Sequence, residues 1–364
     1  MSRKMSAVKF VGLHAHSVAG SIFDAIGYPQ DHMDFAYENG MDAIALTDHG
    51  NMNGLAYQVI HAKKMKEEGK NFKPIFGCEA YFIPSVKEWR EEYESAMEDK
   101  KRSRSIKRDE QSGATVEDEG ASKRTQDILR RRRHLILLAQ NQVGLNNLFK
   151  LVSESYQPEN FYRYPRIDYA LLEKYNEGII AASACLGGVY AGNYWENREE
   201  GPEAVIDAMR ATTEQMSLIF GDRWYAEIQW NNVPEQHELN NYIIQVAGEY
   251  DVKLISTADS HYYNREAWKD RELYVRLGWL GKGRPSWAED SQVPINVDEI
   301  GYELYPKNGD EMWEAYKKYS ENTDINYDDQ LVLASIEETH NIAFDRIEDF
   351  LPDNTVRLPS FVVP

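Results

Sequence analysis

Residues 9–16 read Lys9-Phe10-Val11-Gly12-Leu13-His14-Ala15-His16, a short apolar run that leads directly into two histidines. We predict a β-strand over Lys9–Leu13. Alternate residues of an extended chain point to the same side, so His14 and His16 could both reach one metal ion. Two ordinary surface histidines remain the alternative for this pair taken alone.

Apolar runs of the same kind recur along the chain. Six more are predicted as strands: Ala43–Thr47, Pro74–Ile83, Leu135–Ala139, Gly178–Ser183, Trp224–Gln229 and Val252–Thr257. Stretches with apolar residues at helical spacing lie between most of them, including Gln30–Asn39, Leu145–Ser155 and Pro234–Tyr250. Seven strands alternating with helices predict an α/β fold with a mainly parallel sheet, closed into a barrel.

Composition excludes several classes of protein. The chain has 364 residues, of which 42% are hydrophobic and 12% aromatic, so it is not a disordered chain. No apolar run approaches the roughly 20 residues of a membrane helix, and the N-terminus has no secretory signal. Two cysteines exclude a disulfide scaffold. We therefore expect a cytoplasmic protein with no membrane partner.

Charge is unevenly distributed. The net charge is −19, from 41 basic and 60 acidic residues, which argues against a protein that grips duplex DNA with its whole surface. The segment Lys100–Arg133, called the basic arm below, instead carries 12 basic and 6 acidic residues. This arm either holds a single nucleic acid strand or is a solvated, flexible insertion, and the sequence leaves both readings open.

The domain boundaries follow from these patterns. We expect a barrel over residues 1–280, with a mobile charged insertion at about 100–127. Residues 281–364 are expected to form a loop and a helical tail at Asp328–Phe344, ending in an extended linker at Leu358–Pro364.

Three later strands lead to polar residues of the kinds that bind metals. Asp48 and His49 follow the second predicted strand, Glu79 lies in the third, and Asp259 and His261 follow the last. A carboxylate inside an apolar strand is costly unless a metal or a histidine pairs with it. The carboxyl ends of parallel strands meet at one end of an α/β fold, so one metal pocket collecting these residues with His14 and His16 is the simplest interpretation.

Three further residues are weaker candidates. His134 precedes its strand, so barrel geometry alone does not place it in the pocket. Cys185 follows Gly178–Ser183 in a position to bind metal, although such a cysteine is more often a buried apolar residue. Asp24 lies in a loop, where a turn role is the default.

Imidazole and carboxylate ligands suit Zn²⁺, Mn²⁺ or Fe²⁺. As many as nine ligands exceed the needs of one tetrahedral ion and imply two or three divalent metals. Clustered metals activate water and neutralise the charge of a phosphoryl group. Such a cluster would supply the positive field that this acidic protein otherwise lacks.

These residues resemble a known family. The segments Phe10–His16, Ala45–Asn53, Pro74–Ala80, His134–Ala139, Ser183–Gly187 and Ala258–Tyr262 resemble the PHP (polymerase and histidinol phosphatase) domain. The resemblance is strongest to the N-terminal PHP domain of bacterial DNA polymerase III alpha subunits, which Tyr164–Asp168, Phe220–Arg223 and Leu358–Pro364 also resemble. It covers nearly the whole chain except Glu88–Arg133.

The resemblance implies a distorted seven-stranded β/α barrel of the PHP type that holds a trinuclear metal centre. The family's ligands fall on His14, His16, Asp24, His49, Glu79, His134, Cys185, Asp259 and His261. It implies phosphodiester hydrolysis at DNA 3′ ends, as a 3′–5′ exonuclease in replication. For that reaction we expect either His49 or Asp259 to move protons, and the sequence does not decide between them. A polymerase core or another replisome protein is the implied partner, and no polymerase activity is expected from this chain alone.

Three alternatives remain. A small-molecule phosphomonoesterase of the histidinol phosphatase type suits the acidic surface. An amidohydrolase barrel also begins with a His-x-His pair, but commonly uses a modified lysine where this chain has Glu79. The third is a non-catalytic scaffold module of a DNA polymerase III alpha subunit, in which the metals only staple the fold.

Overall fold

A curled sheet of six strands forms the centre of the fold. The computed structural model describes residues 3, 5–109, 127–280 and 300–353. In the order in which they pair across the sheet, the strands are β1 (Ala43–Leu46), β2 (Lys73–Phe82), β3 (Arg133–Ala139), β6 (Ile179–Ala182), β7 (Trp224–Gln229) and β8 (Lys253–Thr257). A separate two-stranded hairpin pairs β4 (Phe161–Tyr162) with β5 (Tyr164–Pro165). Each predicted run after the first therefore contains a strand of this sheet.

Helices connect these strands. They are α1 (Pro29–Glu38), α2 (Leu55–Glu67), α3 (Val86–Asp109), α4 (Gln142–Ser155), α5 (Tyr169–Tyr175), α6 (Val189–Asn197), α7 (Pro202–Phe220), α8 (Pro234–Glu249), α9 (Trp268–Leu280), α10 (Gly309–Ser320) and α11 (Asp329–Asn341). Side-chain caps fix several N-termini: Asn141 accepts a hydrogen bond from the Gly144 amide, and Asp168 accepts one from the Leu171 amide. Asn308 and Glu311 form a reciprocal capping box at α10.

One strand runs against the others. The β1–β2, β6–β7 and β7–β8 pairs are parallel, whereas β3 is antiparallel to both of its neighbours, β2 and β6. The first residues of β3 therefore lie at the same end of the sheet as the carboxyl ends of the parallel strands. Tyr81 of β2 pairs directly with His134 of β3.

The predicted first strand is wrong, and the predicted seven-stranded barrel is not confirmed: the curled sheet has six strands. Residues 9–13 form no strand. Gly12 makes a single parallel bridge to Ile44 of β1, and Ala15 makes another to Ser260, just beyond β8. The segment passes from one edge of the sheet to the other, so it does not run beside either edge strand for long enough to form a ladder.

Two apolar layers hold the sheet in place. The concave face buries a small cluster that includes Val11, Ile75, Ile136 and Tyr225. Ile342 and Ile347, in and just after the π-helical turn Ile342–Arg346 that follows α11, join this inner cluster. A larger cluster lies between the sheet and the surrounding helices. The predicted helical tail is thus part of the core.

The basic arm is only partly described. Helix α3 extends to Asp109, so the first part of the predicted insertion is helical. The remainder, residues 110–126, lies outside the described residues, as do residues 281–299, where a loop is predicted, and the predicted linker at 358–364. Within the described part of the chain, no helix has the length and apolar character needed to cross a bilayer.

Candidate metal centre

Seven predicted ligands converge at one end of the sheet. They come from the segment before α1, the end of β1, β2, the start of β3 and the turn after β8. Three overlapping groups, in each of which the ligand atoms lie within 4.8 Å of one another, are His14-His16-Glu79-Asp259, His16-His49-His261 and His49-Glu79-His134. The groups share His16, His49 and Glu79, so they form one continuous cluster.

The deepest group contains two imidazoles and two carboxylates. Glu79 Oε2 lies 2.9 Å from His16 Nε2 and 3.2 Å from His14 Nε2. Asp259 Oδ1 lies 3.0 Å from His14 Nε2 and 3.2 Å from His16 Nε2. The histidine and Glu79 side chains are fully buried, and that of Asp259 is 12% exposed. Four ligand atoms therefore converge on a small volume shielded from water.

His49 and His134 extend the cluster along Glu79. His49 Nδ1 lies 3.2 Å from Glu79 Oε2, and His134 Nδ1 contacts Glu79 Oε1. His134, whose position before its strand made it a weak candidate, reaches the site because β3 is antiparallel.

Asp24 bridges two of the histidines. Its Oδ2 lies 2.8 Å from His49 Nε2 and 3.4 Å from His261 Nε2. Arg271 of α9 donates to Asp24 Oδ1 at 2.8 Å and to the Asp24 carbonyl at 2.8 Å, which fixes the loop. With a side chain that is 37% exposed, Asp24 is the most open of these residues.

Cys185 lies at the edge of the cluster. Its Sγ is 3.6 Å from His134 Nδ1 and accepts a hydrogen bond from the Gly187 amide at 3.4 Å. Burial raises the pKa of this thiol well above its usual value. In the absence of metal, Cys185 is therefore protonated at neutral pH. All nine predicted residues thus contact at least one other member of the set.

Asp48 does not join the cluster. Its carboxylate accepts hydrogen bonds from the Ser17 amide and hydroxyl, at 2.7 and 2.8 Å, and from the Ser21 hydroxyl at 2.9 Å. Ser21 Oγ lies 3.2 Å from His16 Nδ1. Asp48 is therefore linked to His16 through the Ser21 hydroxyl and does not face the other ligands.

Glu227 of β7 also belongs to the site, although it was not predicted from the sequence. Its Oε1 lies 2.7 Å from His14 Nδ1 and also accepts hydrogen bonds from Gln229 and Thr257. The residue is buried in an apolar strand, which is the same signal that identified Glu79. A proton held on His14 Nδ1 by this carboxylate leaves the Nε2 lone pair facing the cluster.

Two buried atoms indicate that the site fits a cation. Among the described residues, neither Asp259 Oδ1 nor His49 Nδ1 has a hydrogen-bond partner, although both face other ligand atoms. Burying lone pairs against one another is unfavourable unless a proton or a metal ion lies between them. Carboxylate and imidazole are also the donors that divalent transition metals prefer.

The electrostatics of the metal-free cluster agree with this fit. Burial would raise the pKa of Glu79, but His134 and His49 hold it well below the usual value. Burial would likewise raise that of Asp259, which His14 and His261 keep low. Burial opposes the charge on His14 and His49, yet the facing carboxylates raise the pKa of both imidazoles well above the usual value. Protons therefore balance the carboxylates when no cation does.

Aromatic residues border the cluster on the side of the basic arm. The Tyr81 ring stacks 6.0 Å from the His49 ring and lies 5.6 Å from the His134 ring. Tyr164 meets Tyr81 edge to face at 5.3 Å. Arg132 lies over both tyrosines, with Cζ 3.8 Å from the Tyr164 centroid and 5.2 Å from the Tyr81 centroid.

Comparison with known proteins gives a family match. Residues 12–231 match the PHP domain family. The DNA polymerase III alpha subunit of Aquifex aeolicus is 38% identical over 257 residues, which cover 71% of this chain and 18% of that protein. The alpha subunit of Borreliella burgdorferi is 31% identical over 313 residues, with coverages of 86% and 22%. The chain therefore spans about a fifth of the length of these relatives.

A solved structure aligns more loosely. The amidohydrolase from Chromobacterium violaceum, with bound sulfate and no metal, is 14% identical and has a TM-score of 0.32. The alignment covers 72% of this chain and 96% of that one. Similarity at this level supports no functional conclusion.

Proposed function

The chain belongs to the PHP domain family, and from that premise we propose that it is a metal-dependent phosphoesterase acting on DNA 3′ ends, as a 3′–5′ exonuclease in replication. The observation that carries the proposal is the continuity of the three ligand groups through His16, His49 and Glu79. Independent metal sites would not need to share ligands. Shared ligands hold the cations close enough together to act on the same phosphate.

The nine clustered residues would hold two or three divalent cations, Zn²⁺, Mn²⁺ or Fe²⁺. Glu79 and Asp259 would supply the central carboxylate ligands, because each contacts several imidazoles of the set. Such a centre supplies activation of water and neutralisation of the phosphoryl charge. The buried protein groups keep competing water away from the reacting phosphate.

His49 and Asp24 provide a route for protons. His49 Nε2 lies 2.8 Å from Asp24 Oδ2, and Asp24 is the cluster member most open to solvent. His49 would bind a cation through Nδ1, which faces Glu79, and its Nε2 is then the atom that can pass a proton to Asp24 and on to water. Asp259 is less suited to this role because its Oδ1 faces His14 and His16 inside the cluster. We accordingly assign proton transfer to His49 and ligand binding to Asp259.

The replication context rests on the relatives, which are DNA polymerase III alpha subunits. We propose that the natural partner is a polymerase core or another replisome protein. This chain would carry the metal centre in that context, and it is not expected to synthesise DNA by itself.

The decisive experiment combines elemental analysis of the purified chain with Mn²⁺- or Zn²⁺-dependent release of nucleotides from a 3′-labelled single strand. Two or three metals per chain, with cleavage that a chelator abolishes, are expected. Cleavage of a simple phosphomonoester without cleavage of DNA would instead identify a small-molecule phosphatase.

A second candidate function is that of a metal-stapled scaffold for a polymerase. The ligands come from elements that are distant in sequence, from His14 to His261, so bound cations would cross-link the fold. Bound metal that raises the melting temperature, with no hydrolysis of DNA or a phosphomonoester, would favour this function over the exonuclease.

A further inference from the structure

We propose that Arg132 binds a second phosphate group, next to the one that reacts, and thereby makes the site selective for a polynucleotide over a small phosphomonoester. The inference rests on the proposed phosphoesterase function and identifies its substrate class. It starts from the position of Arg132, two residues before His134 at the start of β3.

Arg132 lies one aromatic ring away from the metal cluster. Its guanidinium is 5.2 Å from the Tyr81 centroid, and that ring contacts the rings of His134 at 5.6 Å and His49 at 6.0 Å. Within the described residues, the guanidinium forms no hydrogen bond or ion pair with any of the nine predicted ligands. It therefore lies beside the cluster, in a position for the neighbouring phosphate of a chain that leaves the cluster along Tyr164.

The guanidinium has unused donors. Within residues 3, 5–109, 127–280 and 300–353, its polar partner is the Arg130 carbonyl, which accepts from Nη1 at 3.1 Å. The Nε group is buried without a hydrogen-bond partner among those residues. An unsatisfied buried donor is destabilising, and such groups are found where a ligand completes them. An anionic oxygen at this position would satisfy Nε.

The other arginine beside the cluster provides a contrast. Arg271 donates to the Asp24 carboxylate and carbonyl, and its Nη1 lies 3.5 Å from Glu272. Its charge is therefore neutralised by the protein itself. Arg132 forms no ion pair within the described part of the chain, so its charge is available to a substrate that an acidic surface would otherwise repel.

Stacking on tyrosine prepares Arg132 for this role. Cζ lies 3.8 Å from the Tyr164 centroid, which orients the planar guanidinium before any ligand binds. A side chain that is already ordered loses less entropy on binding phosphate than a free surface lysine would.

The test compares Arg132→Ala and Arg132→Lys with a matched control, Arg163→Ala. Arg163 is an exposed arginine that lies over the ring of Tyr162, in the hairpin that carries Tyr164, but it has no part in the site. Binding of a 5′-labelled phosphorothioate oligothymidylate to the full chain is measured by fluorescence anisotropy across a salt series, with and without Mn²⁺. Metal content is measured for every variant.

We expect Arg132→Ala to weaken oligonucleotide binding about tenfold and to reduce the salt slope by about 0.7, the value for one lost phosphate contact on a single strand. Arg132→Lys should recover part of the affinity, and Arg163→Ala should resemble the wild type. In turnover, the KM for the oligonucleotide should rise while that for p-nitrophenyl phosphate stays constant.

Equal losses for Arg132→Ala and Arg163→Ala would overturn the proposal, as would an equal rise in KM for both substrates. The binding assay does not require hydrolysis. An inactive wild type that still binds the oligonucleotide through Arg132 would therefore refute the exonuclease and leave the phosphate contact established.

Discussion

His14 Nδ1 lies 2.7 Å from Glu227 Oε1, and this contact determines which imidazole nitrogen faces the metal cluster. Gln229 and Thr257 donate to the same oxygen, so the carboxylate is held in place from two other directions. Glu227 is therefore a positioning residue: it acts on the site through His14.

Glu227→Gln should weaken binding of Zn²⁺ or Mn²⁺ by about 10–100-fold, because the amide no longer fixes the proton on His14 Nδ1. Competition against a chelating dye measures this effect without any substrate. Glu214→Gln, at an exposed residue of α7, is the control and should bind metal like the wild type. Equal metal affinities for the wild type and both variants would show that Glu227 does not position His14 for metal binding.

Asp259→Asn should lower hydrolysis by about 10²-fold or more and reduce the metal content, while the fold is retained. Asp259 has a positive φ of 47°, a conformation that Asn tolerates, so backbone strain does not confound the comparison. Asp251→Asn is a matched control, since this exposed aspartate has a φ of 53° just before β8. Unchanged turnover in Asp259→Asn would show that the ligand assignment is wrong.

Metal binding should release protons at neutral pH. Facing carboxylates raise the pKa of His14 and His49 well above the usual value in the metal-free chain, so both imidazoles must lose a proton to bind a cation. The apparent metal affinity should therefore increase as the pH rises from about 6 to about 8. Calorimetric titrations in two buffers of different ionisation enthalpy count the protons, and His49→Gln should release fewer. A heat that is independent of the buffer would contradict this prediction.

Lys307 should make stability increase with pH in the alkaline range. Burial lowers its pKa to about 8, whereas the unfolded chain has a value of about 10.4. The folded state binds this proton less well, so the penalty is complete below pH 8 and is relieved as the pH rises to about 10.4.

Lys307→Met has no such titration. Its free energy of unfolding relative to the wild type should fall by roughly 3 kcal/mol between pH 7.5 and 10.5, as measured by urea denaturation. Lys66→Met, at an exposed position of α2, should show no comparable change. A constant difference between Lys307→Met and wild type across this range would show that Lys307 is accessible to solvent.

Periodicity and composition predicted six of the strands because each is a short apolar run between helical stretches. The same signal failed at Lys9–Leu13, where the chain crosses between β1 and the end of β8 and bridges to each through one residue. Local sequence carries no information on how long two segments stay side by side, so the closure of the sheet was not predictable in this way.

The candidate site likewise contains residues that local sequence predicts and residues whose position depends on the whole sheet. His14, His16, Glu79, Asp259 and His261 were predictable from residue type and position relative to a strand. The place of His134 depended on the direction of β3, which is a property of the whole sheet. Glu227 was predictable by the argument used for Glu79, because both are buried acidic residues within an apolar strand.

The reversed direction of β3 has a consequence for how the sequence of such a protein can diverge during evolution. The chain leaves β2 and re-enters β3 at the same end of the sheet, so the segment between Phe82 and Arg133 begins and ends beside the ligand cluster. The pairing of Tyr81 with His134 depends on backbone hydrogen bonds and not on the length of that segment. A longer, shorter or differently charged segment would alter what is brought to the cluster while leaving the cluster itself in place.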